Sequence, residues 1–311
     1  MAEHVRKRRR WNPQKKKRIL TIVAVLVLIA AITGAYAISK MRVTDISDEE
    51  ADLTFLSGKD SEFSELYAAN KDKVNILMLG VNTNLTDTIM LINYDKKTQE
   101  MQLISIPRDT YYVRDEEDSD VNKKINAAYK GKVINTAKAV SDILCDIPIN
   151  YYVVVDYDAV EKIVDAMGGV PMDIPFHMYR NDEWDTPPLH IDIPEGHQVL
   201  DGETAVKFLR FRHGDQGYPS YPMQDLDRVK AQQEFIKSAV KQSIGFDLPK
   251  IAKVAYKEVK CNMTVGNVAS LVKSAVGMSG DNVTSCTLPG DVQQESPYFY
   301  YPDEDAIKEL I

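Results

Sequence analysis

One stretch of the chain constrains its fold more than any other. Residues 86–110 contain two short apolar runs, at 89–92 and within 103–106, separated by the polar residues 93–100. Apolar runs of this length on either side of a polar segment predict a hairpin of two buried strands around a solvated turn. The rest of a compact domain has to cover both faces of these strands.

The ends of the predicted hairpin carry charged residues of opposite sign. Asp87 enters the first strand, and Arg108 follows Pro107, which ends the second strand because proline cannot donate to a ladder. If the strands pair tightly, Asp87 and Arg108 lie near the same edge of the sheet. An acid and a guanidinium that face one crevice could hold a metal ion and a phosphate.

The N-terminal region has the composition of a membrane anchor. Residues 19–38 carry no charge and are rich in Val, Ile, Leu and Ala, and a helix of this length spans roughly 30 Å, the thickness of a hydrocarbon core. The basic tail at 1–18 leaves the N-terminus in the cytoplasm by the positive-inside rule. A cleaved signal peptide is the alternative, but residues 39–42 form a poor cleavage site. We therefore expect one transmembrane helix, a cell-membrane location and an extracytoplasmic body.

Charge and cysteine content limit the partners and the cross-links. The chain has a net charge of −8, and its first 38 residues carry nine basic side chains against one acid, which leaves −16 on the remainder. An acidic body argues against nucleic-acid binding, so an anionic substrate needs a local cluster of Arg and Lys. Cys145, Cys261 and Cys286 show no metal-ligand spacing. Cys261 and Cys286 are the likelier pair for a disulfide, with buried free thiols as the alternative.

After a polar stem at 39–72, strand and helix patterns alternate over one domain at 73–311. A strand at 74–81 ends in a glycine turn and leads into the hairpin, and residues 175–195 read as a long loop. The other β-rich runs are at 151–155, 170–174 and 283–288, and helical patterns occur at 134–145, 160–167, 202–209, 226–244, 267–276 and from 303. This order predicts an α/β fold, a single α/β/α sandwich with a mixed central sheet.

Two further segments could bind an anion. If residues 209–213 are extended, Arg210 and Arg212 share one face while Phe211 packs the other way. Asp225, Arg228 and Gln232 lie on one face of a helix near its N-terminus, where the dipole favours an anion, although a capped, solvated helix with an ion pair explains this spacing as well. Lys124 adds a cation before an apolar turn, and by itself it indicates a surface charge.

Several motifs together resemble one bacterial family. The motifs are Thr-Asp-Thr, Ile-Pro-Arg-Asp-Thr, Lys-Ile-Asn-Ala-Ala-Tyr, Val-Asp-Ala-Met-Gly-Gly-Val, Leu-Asp-Gly-Glu-Thr-Ala, Arg-Phe-Arg and Asp-Leu-Asp-Arg-Val-Lys-Ala-Gln-Gln, in this order. The chain resembles the LytR–CpsA–Psr proteins of the cell envelope over roughly residues 73–245, with a weaker match to the C-terminus. The resemblance implies a phosphotransferase that moves an anionic glycopolymer from a polyprenyl-pyrophosphate carrier to peptidoglycan.

The resemblance also implies roles for individual residues. Asp87 matches a carboxylate near Mg²⁺, and Asp225 matches an acid beside the pocket that is a candidate base for the acceptor hydroxyl. Lys124 and Gln232 match polar groups of the same pocket. Four arginines match the family arginines that hold the pyrophosphate: Arg108, Arg210, Arg212 and Arg228. They would spread the charge of the transition state.

Two positions depart from the family pattern. Members have Gly-x-Asp after the first strand, whereas this chain has Asn82, so a metal ligand is weakened to an amide or lost. The Arg of the family's Arg-Gln-Gln is replaced by Ala231. The Asn82 change leaves open, beside catalysis with a weaker Mg²⁺ site, a binding-only relative that holds polyprenyl-phosphate lipid or wall glycan in a regulatory or scaffolding role. A hydrolase of polyprenyl pyrophosphate, in which water replaces the acceptor, is a third alternative.

Overall fold

A computed structural model describes residues 72–82, 84–114, 119–184, 188–223, 225–243, 254, 257–274, 280–293 and 295–311. The predicted tail, transmembrane helix and nearly all of the predicted stem lie outside these residues. Within the described part of the chain, no helix has both the length and the hydropathy needed to cross a membrane.

The described residues form a mixed α/β domain around a central sheet. The strands of the domain, in chain order, are β1 (Lys73–Asn82), β2 (Leu85–Asp95), β3 (Glu100–Ile106), β4 (Tyr151–Val155), β5 (Val170–Ile174), β6 (Met178–Asp182), β7 (Leu189–Ile193), β8 (Gly196–Leu200), β9 (Lys260–Cys261), β10 (Val283–Thr287), β11 (Gly290–Val292) and β12 (Tyr300–Pro302). Its α-helices are α1 (Val133–Ile143), α2 (Tyr157–Met167), α3 (Gly202–Arg210), α4 (Asp225–Ser243), α5 (Val265–Ser274) and α6 (Glu304–Leu310), with 3₁₀ turns at Ile125–Ala128 and Gly280–Asn282.

The central sheet has six strands in the order β10-β3-β2-β1-β4-β9. β1 and β4 are parallel, as are β3 and β10, whereas β2 is antiparallel to both of its neighbours. The carboxyl ends of β1, β3, β4 and β10 therefore meet at one edge, together with the start of β2. In open α/β sheets, ligands bind outside the carboxyl ends of the strands.

The period-two pattern of the hairpin gives each face of the sheet its own apolar core. Leu77, Leu79 and Leu91 point to one face and pack with α1 and α6. Ile76 and Met90 point to the other face, where Leu271 of α5 and Ile236 of α4 cover them. Helices thus cover both faces, and the prediction of a mixed central sheet in an α/β domain is confirmed.

A third apolar cluster lies away from the sheet, among α2, α3, α4 and the two small ladders β5–β8 and β6–β7. The prediction of a loop at 175–195 was wrong for two five-residue segments, because β6 and β7 pair as an antiparallel hairpin within it. The alternation in Leu189-His190-Ile191-Asp192-Ile193, with every second residue buried, is a strand signal that the nearby prolines and acids obscured.

Other boundaries also differ from the predictions. β1 continues past Gly80 to Asn82 instead of ending in a glycine turn, because its last residues still pair with β2. The solvated turn shrinks from eight residues to 96–99, where the Asp95 side chain accepts backbone hydrogen bonds from Lys97 and Thr98. Strand pairing thus continues through polar residues that carry no apolar signal.

Cys145, Cys261 and Cys286 are all free thiols, so the alternative to a Cys261–Cys286 disulfide is the one observed. Cys261 lies in β9 and Cys286 in β10, which are the two opposite edges of the six-stranded sheet. Five inter-strand spacings of about 4.8 Å separate these edges, and disulfide-bonded Cα atoms are at most about 7 Å apart. Topology therefore rules out this pair.

Candidate active site

Asp87 lies at an irregularity in the β1–β2 ladder. Gly80 pairs with Thr88, but the next residue, Val81, pairs with Thr86, so Asp87 is an extra residue without a partner in β1. A bulge of this kind bends its strand and re-aims a side chain, and bulges are frequent next to active sites. The Asp87 side chain lines a pocket at the edge of the sheet where the carboxyl ends meet.

Arg108 lies opposite Asp87, as the hairpin pattern predicts. The β2–β3 ladder ends with the pair Ile89–Ile106, and continuing its register by two residues brings Arg108 across from Asp87. The Arg108 Nη1 atom donates to Asp87 Oδ1 at 2.8 Å. The 3₁₀ turn at Ile125–Ala128 also holds the backbone of Arg108, because Asn126 N in this turn donates to the carbonyl of Arg108 at 3.1 Å.

Two more arginines, from segments that are distant from Asp87 in the sequence, also contact this residue. Arg212, in the connection between α3 and α4, places Nη2 3.4 Å from Asp87 Oδ1. Arg228, in the first turn of α4 and only 2% exposed, donates from Nη2 to the Asp87 backbone carbonyl at 3.3 Å. The bulged residue is therefore bound through both its carboxylate and its main chain.

Tyr157 completes the surroundings of Asp87, although no motif in the sequence marks it as a site residue. Its hydroxyl donates to Asp87 Oδ2 at 3.2 Å, and the Arg210 guanidinium lies 5.2 Å from the centre of its ring, a cation–π contact. Burial, together with the Asp87 charge, raises the pKa of Tyr157 to about 12, so its hydroxyl stays protonated as a donor. Asp156, which caps α2 by accepting from Ala159 N, is the signal that could have moved the predicted helix start from 160 to 157.

These contacts keep Asp87 ionised. Burial by itself would raise the pKa of Asp87, but the guanidiniums of Arg228, Arg108 and Arg212 outweigh this effect and hold the pKa below its ordinary value. Both carboxylate oxygens already accept hydrogen bonds. Asp87 is therefore suited to hold arginines in place and poorly suited to accept a proton.

The stretch 209–213 reaches the pocket by a different route from the predicted one. Arg210 is the last residue of α3 and not part of an extended run, and the chain becomes extended only at Phe211. Phe211 is 1% exposed and packs in the third apolar cluster. Arg210 and Arg212 nevertheless both line the pocket, because the buried Phe211 between them anchors the turn.

Three other residues singled out in the sequence are described and do not line the pocket: Lys124, Ala231 and Gln232. Lys124 Nζ pairs with Asp109 Oδ1 at 3.0 Å, next to Arg108. Gln232 is buried, accepting from Thr88 Oγ1 at 3.2 Å and donating to Leu209 O at 3.4 Å, so it fixes the neighbours of Asp87 and Arg210. Ala231 packs against the third apolar cluster. The side chains of Asp225 and Asn82 lie outside the described part of the structure.

The pocket suits an anion with several oxygen atoms. It has a volume of about 300 Å³, and its lining contains five arginines, two aspartates and one histidine: Arg108, Arg180, Arg210, Arg212, Arg228, Asp87, Asp182 and His213. Arginine forks bind phosphate oxygens two at a time. Fixed guanidiniums around one cavity can hold a diphosphate and stabilise charge that develops on it.

The described residues do not offer a resident Mg²⁺ a fitting ligand set. Among them, no three His, Cys, Asp or Glu side chains lie together as a metal site requires. Mg²⁺ requires octahedral oxygen ligands, whereas the Asp87 oxygens already accept from Arg108, Arg212 and Tyr157.

Comparison with known proteins gives this arrangement a family. The sequence profile of the LytR_cpsA_psr family matches residues 32–311. The chain belongs to the LytR–CpsA–Psr family. The match covers nearly the whole chain, and it confirms the resemblance that the motifs carry.

Individual relatives within the LytR–CpsA–Psr family agree with this assignment. TagV of Bacillus subtilis and TagU of Bacillus cereus are both named polyisoprenyl-teichoic acid–peptidoglycan teichoic acid transferases. TagV is 27% identical over 309 residues, 94% of this chain and 76% of TagV; TagU is 28% identical over 311 residues, 95% of this chain and 96% of TagU. The crystal structure of B. subtilis TagV superposes with a TM-score of 0.64 at 25% identity, covering 77% of this chain and 94% of that one.

Proposed function

We propose that this protein is a membrane-anchored phosphotransferase that moves an anionic glycopolymer from a polyprenyl-pyrophosphate carrier to peptidoglycan. The observation that carries the proposal is the group of four arginines, Arg108, Arg210, Arg212 and Arg228, that lines one pocket around the ionised Asp87. The names of the relatives TagV and TagU supply the donor and acceptor classes.

The proposed reaction exchanges one bond to phosphorus for another. The oxygen of an acceptor hydroxyl on peptidoglycan bonds to the phosphorus that bears the polymer, and the bond from this phosphorus to the bridging oxygen breaks. Polyprenyl phosphate leaves, and the hydroxyl proton passes to a base, for which we propose Asp225. The arginines stabilise the charge that spreads over the phosphoryl oxygens, which is the main way in which proteins accelerate phosphoryl transfer.

We propose that Asp87 acts chiefly as a clamp. It holds Arg108 and Arg212 through one carboxylate oxygen and Tyr157 through the other, so the guanidiniums are in place before the substrate arrives. Mg²⁺ then belongs to the proposal only as an ion that the diphosphate itself carries in and holds, because both carboxylate oxygens of Asp87 are already engaged. A bound Mg²⁺ would neutralise phosphate charge.

The location is also part of the proposal. Residues 19–38 would anchor the chain by one helix, with the basic residues 1–18 in the cytoplasm and the domain on the outer side. Both the lipid carrier and the peptidoglycan acceptor are then within reach of the pocket. We propose that Lys124 and Gln232 support substrate binding through neighbouring residues. Lys124 pairs with Asp109 next to Arg108, and Gln232 donates to the carbonyl of Leu209 next to Arg210.

The proposal is tested by incubating the purified full chain with a short-chain polyprenyl-pyrophosphate oligosaccharide, peptidoglycan fragments and Mg²⁺, and following the products by mass spectrometry. We expect a phosphodiester-linked adduct, and we expect Arg108→Ala to reduce its rate at least about 100-fold because a preorganised donor to the developing charge is lost. Lys237→Ala is the control, since Lys237 pairs with Glu234 on an exposed part of α4.

The alternatives give different outcomes in the same assay. Tight binding of the lipid without any adduct would support a binding-only relative. Release of polymer phosphate in the absence of peptidoglycan fragments would support a hydrolase. An adduct formed at the same rate by Arg108→Ala would contradict the assignment of the site.

A further inference from the structure

The two ends of the pocket differ in charge. At one end, the charged residues of the described lining are four arginines and Asp87. At the other end, the β6–β7 hairpin contributes Arg180 and Asp182 to the lining, and Asp215 lies behind Arg180. The first group carries a net charge of +3 and the second a net charge of −1, so a diphosphate is attracted to the first end and not to the second.

The hairpin presents alternate residues to the pocket. Arg180 pairs with Ile191 and Asp182 with Leu189 across the ladder, and all four side chains line the cavity. Ile191 and Leu189 are buried, at 1% and 7% exposure, whereas Asp192 on the same strand is exposed. This end of the pocket therefore combines an apolar floor with one guanidinium and one carboxylate.

Arg180 is held in place by two acids. Its Nη2 atom donates to Asp182 Oδ2 at 2.6 Å, and its Nη1 atom donates to Asp215 Oδ1 at 3.1 Å. Asp215 is itself fixed, because its other oxygen accepts from Asn181 N at 2.8 Å. A guanidinium neutralised by two carboxylates is a poor phosphate site, but its N–H groups and the carboxylate oxygens match the hydroxyl groups of a neutral ligand.

The volume of the pocket is consistent with a second group beside the diphosphate. Cavities of about 300 Å³ and above hold drug-sized ligands, which are larger than two phosphates. A pyranose ring offers several hydroxyls and an apolar face of C–H groups, and the β6–β7 end offers donors, acceptors and an apolar surface to match.

We propose that Arg180 and Asp182 form a subsite for a neutral sugar ring next to the diphosphate. The inference rests on the proposed function, which places a diphosphate at the arginine end. The sugar has two potential sources, the first residue of the glycopolymer donor and the peptidoglycan acceptor, and both offer the same hydroxyl chemistry.

The test compares ligands that differ by one sugar. Binding to the purified full chain is measured by calorimetry for a short-chain polyprenyl diphosphate, for the same lipid bearing one N-acetylhexosamine, and for a peptidoglycan disaccharide fragment. Asp182→Asn keeps the size of the side chain and removes its charge. Asp192→Asn makes the same change on the exposed side of the hairpin, where Asp192 contacts His177, and is the matched control.

We expect Asp182→Asn to weaken a sugar-bearing ligand about tenfold, because hydrogen bonds to a charged group are lost, and to leave the bare diphosphate within about twofold. Arg180→Lys, which keeps the charge but loses the fork, should act in the same direction. A loss for the glycosylated lipid identifies the donor sugar as the occupant, and a loss for the disaccharide alone identifies the acceptor sugar.

Other results would overturn the inference. Equal losses for the bare and the glycosylated diphosphate, or no loss for either sugar-bearing ligand, would remove the subsite while leaving the proposed function intact. Failure of the unmodified chain to bind the bare diphosphate would refute the proposed function, and the subsite with it. Loss of sugar binding in Asp192→Asn would place the sugar elsewhere on the hairpin.

Discussion

Replacing Asp87 by Ala tests whether this carboxylate holds the arginines of the pocket in place. The change removes one negative charge from a group that includes Arg108, Arg212 and Arg228. The Asp87 side chain is 19% exposed, and those of Arg108 and Arg212 are 21% and 33% exposed. These pairs lie between surface ion pairs, which contribute about 0–1 kcal/mol, and buried ones, whose disruption costs about 3–5 kcal/mol.

We therefore expect Asp87→Ala to lower the free energy of unfolding of the free protein by about 2–3 kcal/mol. In a domain of this size 1 kcal/mol corresponds to about 2–4 °C in Tm, so the Tm should fall by about 5–10 °C. A bound diphosphate supplies the missing negative charge. Ligand binding should therefore raise the Tm of the variant more than that of the unmodified protein.

The same change should move binding and transfer in opposite directions. Without Asp87, the arginine end of the pocket is more positive, and we expect a bare polyprenyl diphosphate to bind about tenfold more tightly, as a Coulomb interaction of about 1.4 kcal/mol implies. Transfer should fall at least about 100-fold, because the guanidiniums are no longer held for the developing charge.

The assay is thermal unfolding of the purified full chain with and without the diphosphate, combined with calorimetry and the transfer reaction. Asp192→Ala, which removes an exposed carboxylate, is the control and should change the Tm by less than about 2 °C. An Asp87→Ala variant with an unchanged Tm and an unchanged affinity for diphosphate would refute the idea that Asp87 organises the arginines.

Three further predictions follow from individual contacts. Tyr157→Phe removes a donor to Asp87 and should slow transfer about tenfold. Folding raises the pKa of this phenol from 10 to about 12, so its contribution to stability is complete below pH 10 and is lost between pH 10 and 12. The free energy of unfolding of the variant should therefore fall less steeply over this pH range than that of the unmodified protein. Gln233→Ala should cost about 1–3 kcal/mol in chemical unfolding, because buried Gln233 donates to Ser105 Oγ at 3.0 Å and Cys286 O at 3.1 Å. Mg²⁺ should give no binding heat with the free chain and a measurable one once diphosphate is present; strong binding to the free chain would contradict the engagement of both Asp87 oxygens.

The sequence was sufficient to predict the contact between Asp87 and Arg108. Strand periodicity and Pro107 together define which residues leave the hairpin at the same edge, and the ladder obeys that register. It was not sufficient to predict the bulge that makes Asp87 an unpaired residue, because a bulge depends on how β1 and β2 pair and not on either strand alone.

Two pocket residues, Tyr157 and Arg180, could not be predicted from the sequence, and the physical reason is the same for both. Tyr157 and Arg180 come from elements that are distant in sequence from the hairpin, and each reaches the pocket only because of the way its element packs against α3 or the loop that follows it. Tyr157 follows β4, whose parallel pairing with β1 brings the start of α2 to the carboxyl edge. A local pattern can mark the beginning of a helix or an alternation in a strand, but the edge that it meets is decided by topology.

The net charge of the arginine end bears on how this chain could neutralise a diphosphate with an amide, Asn82, where the family pattern has a carboxylate. Four guanidiniums and Asp87 give a net charge of +3, and a diphosphate diester with about two negative charges at neutral pH reduces it to about +1. A resident divalent ion would raise the positive charge again and compete with Arg108, Arg212 and Tyr157 for the oxygens of Asp87. With Asn82 at the position of a carboxylate, the chain has one less negative charge with which to retain such an ion. The arginines can thus neutralise the substrate before any metal ion is counted, and this is why an amide at position 82 is compatible with the transfer reaction that we propose for this pocket.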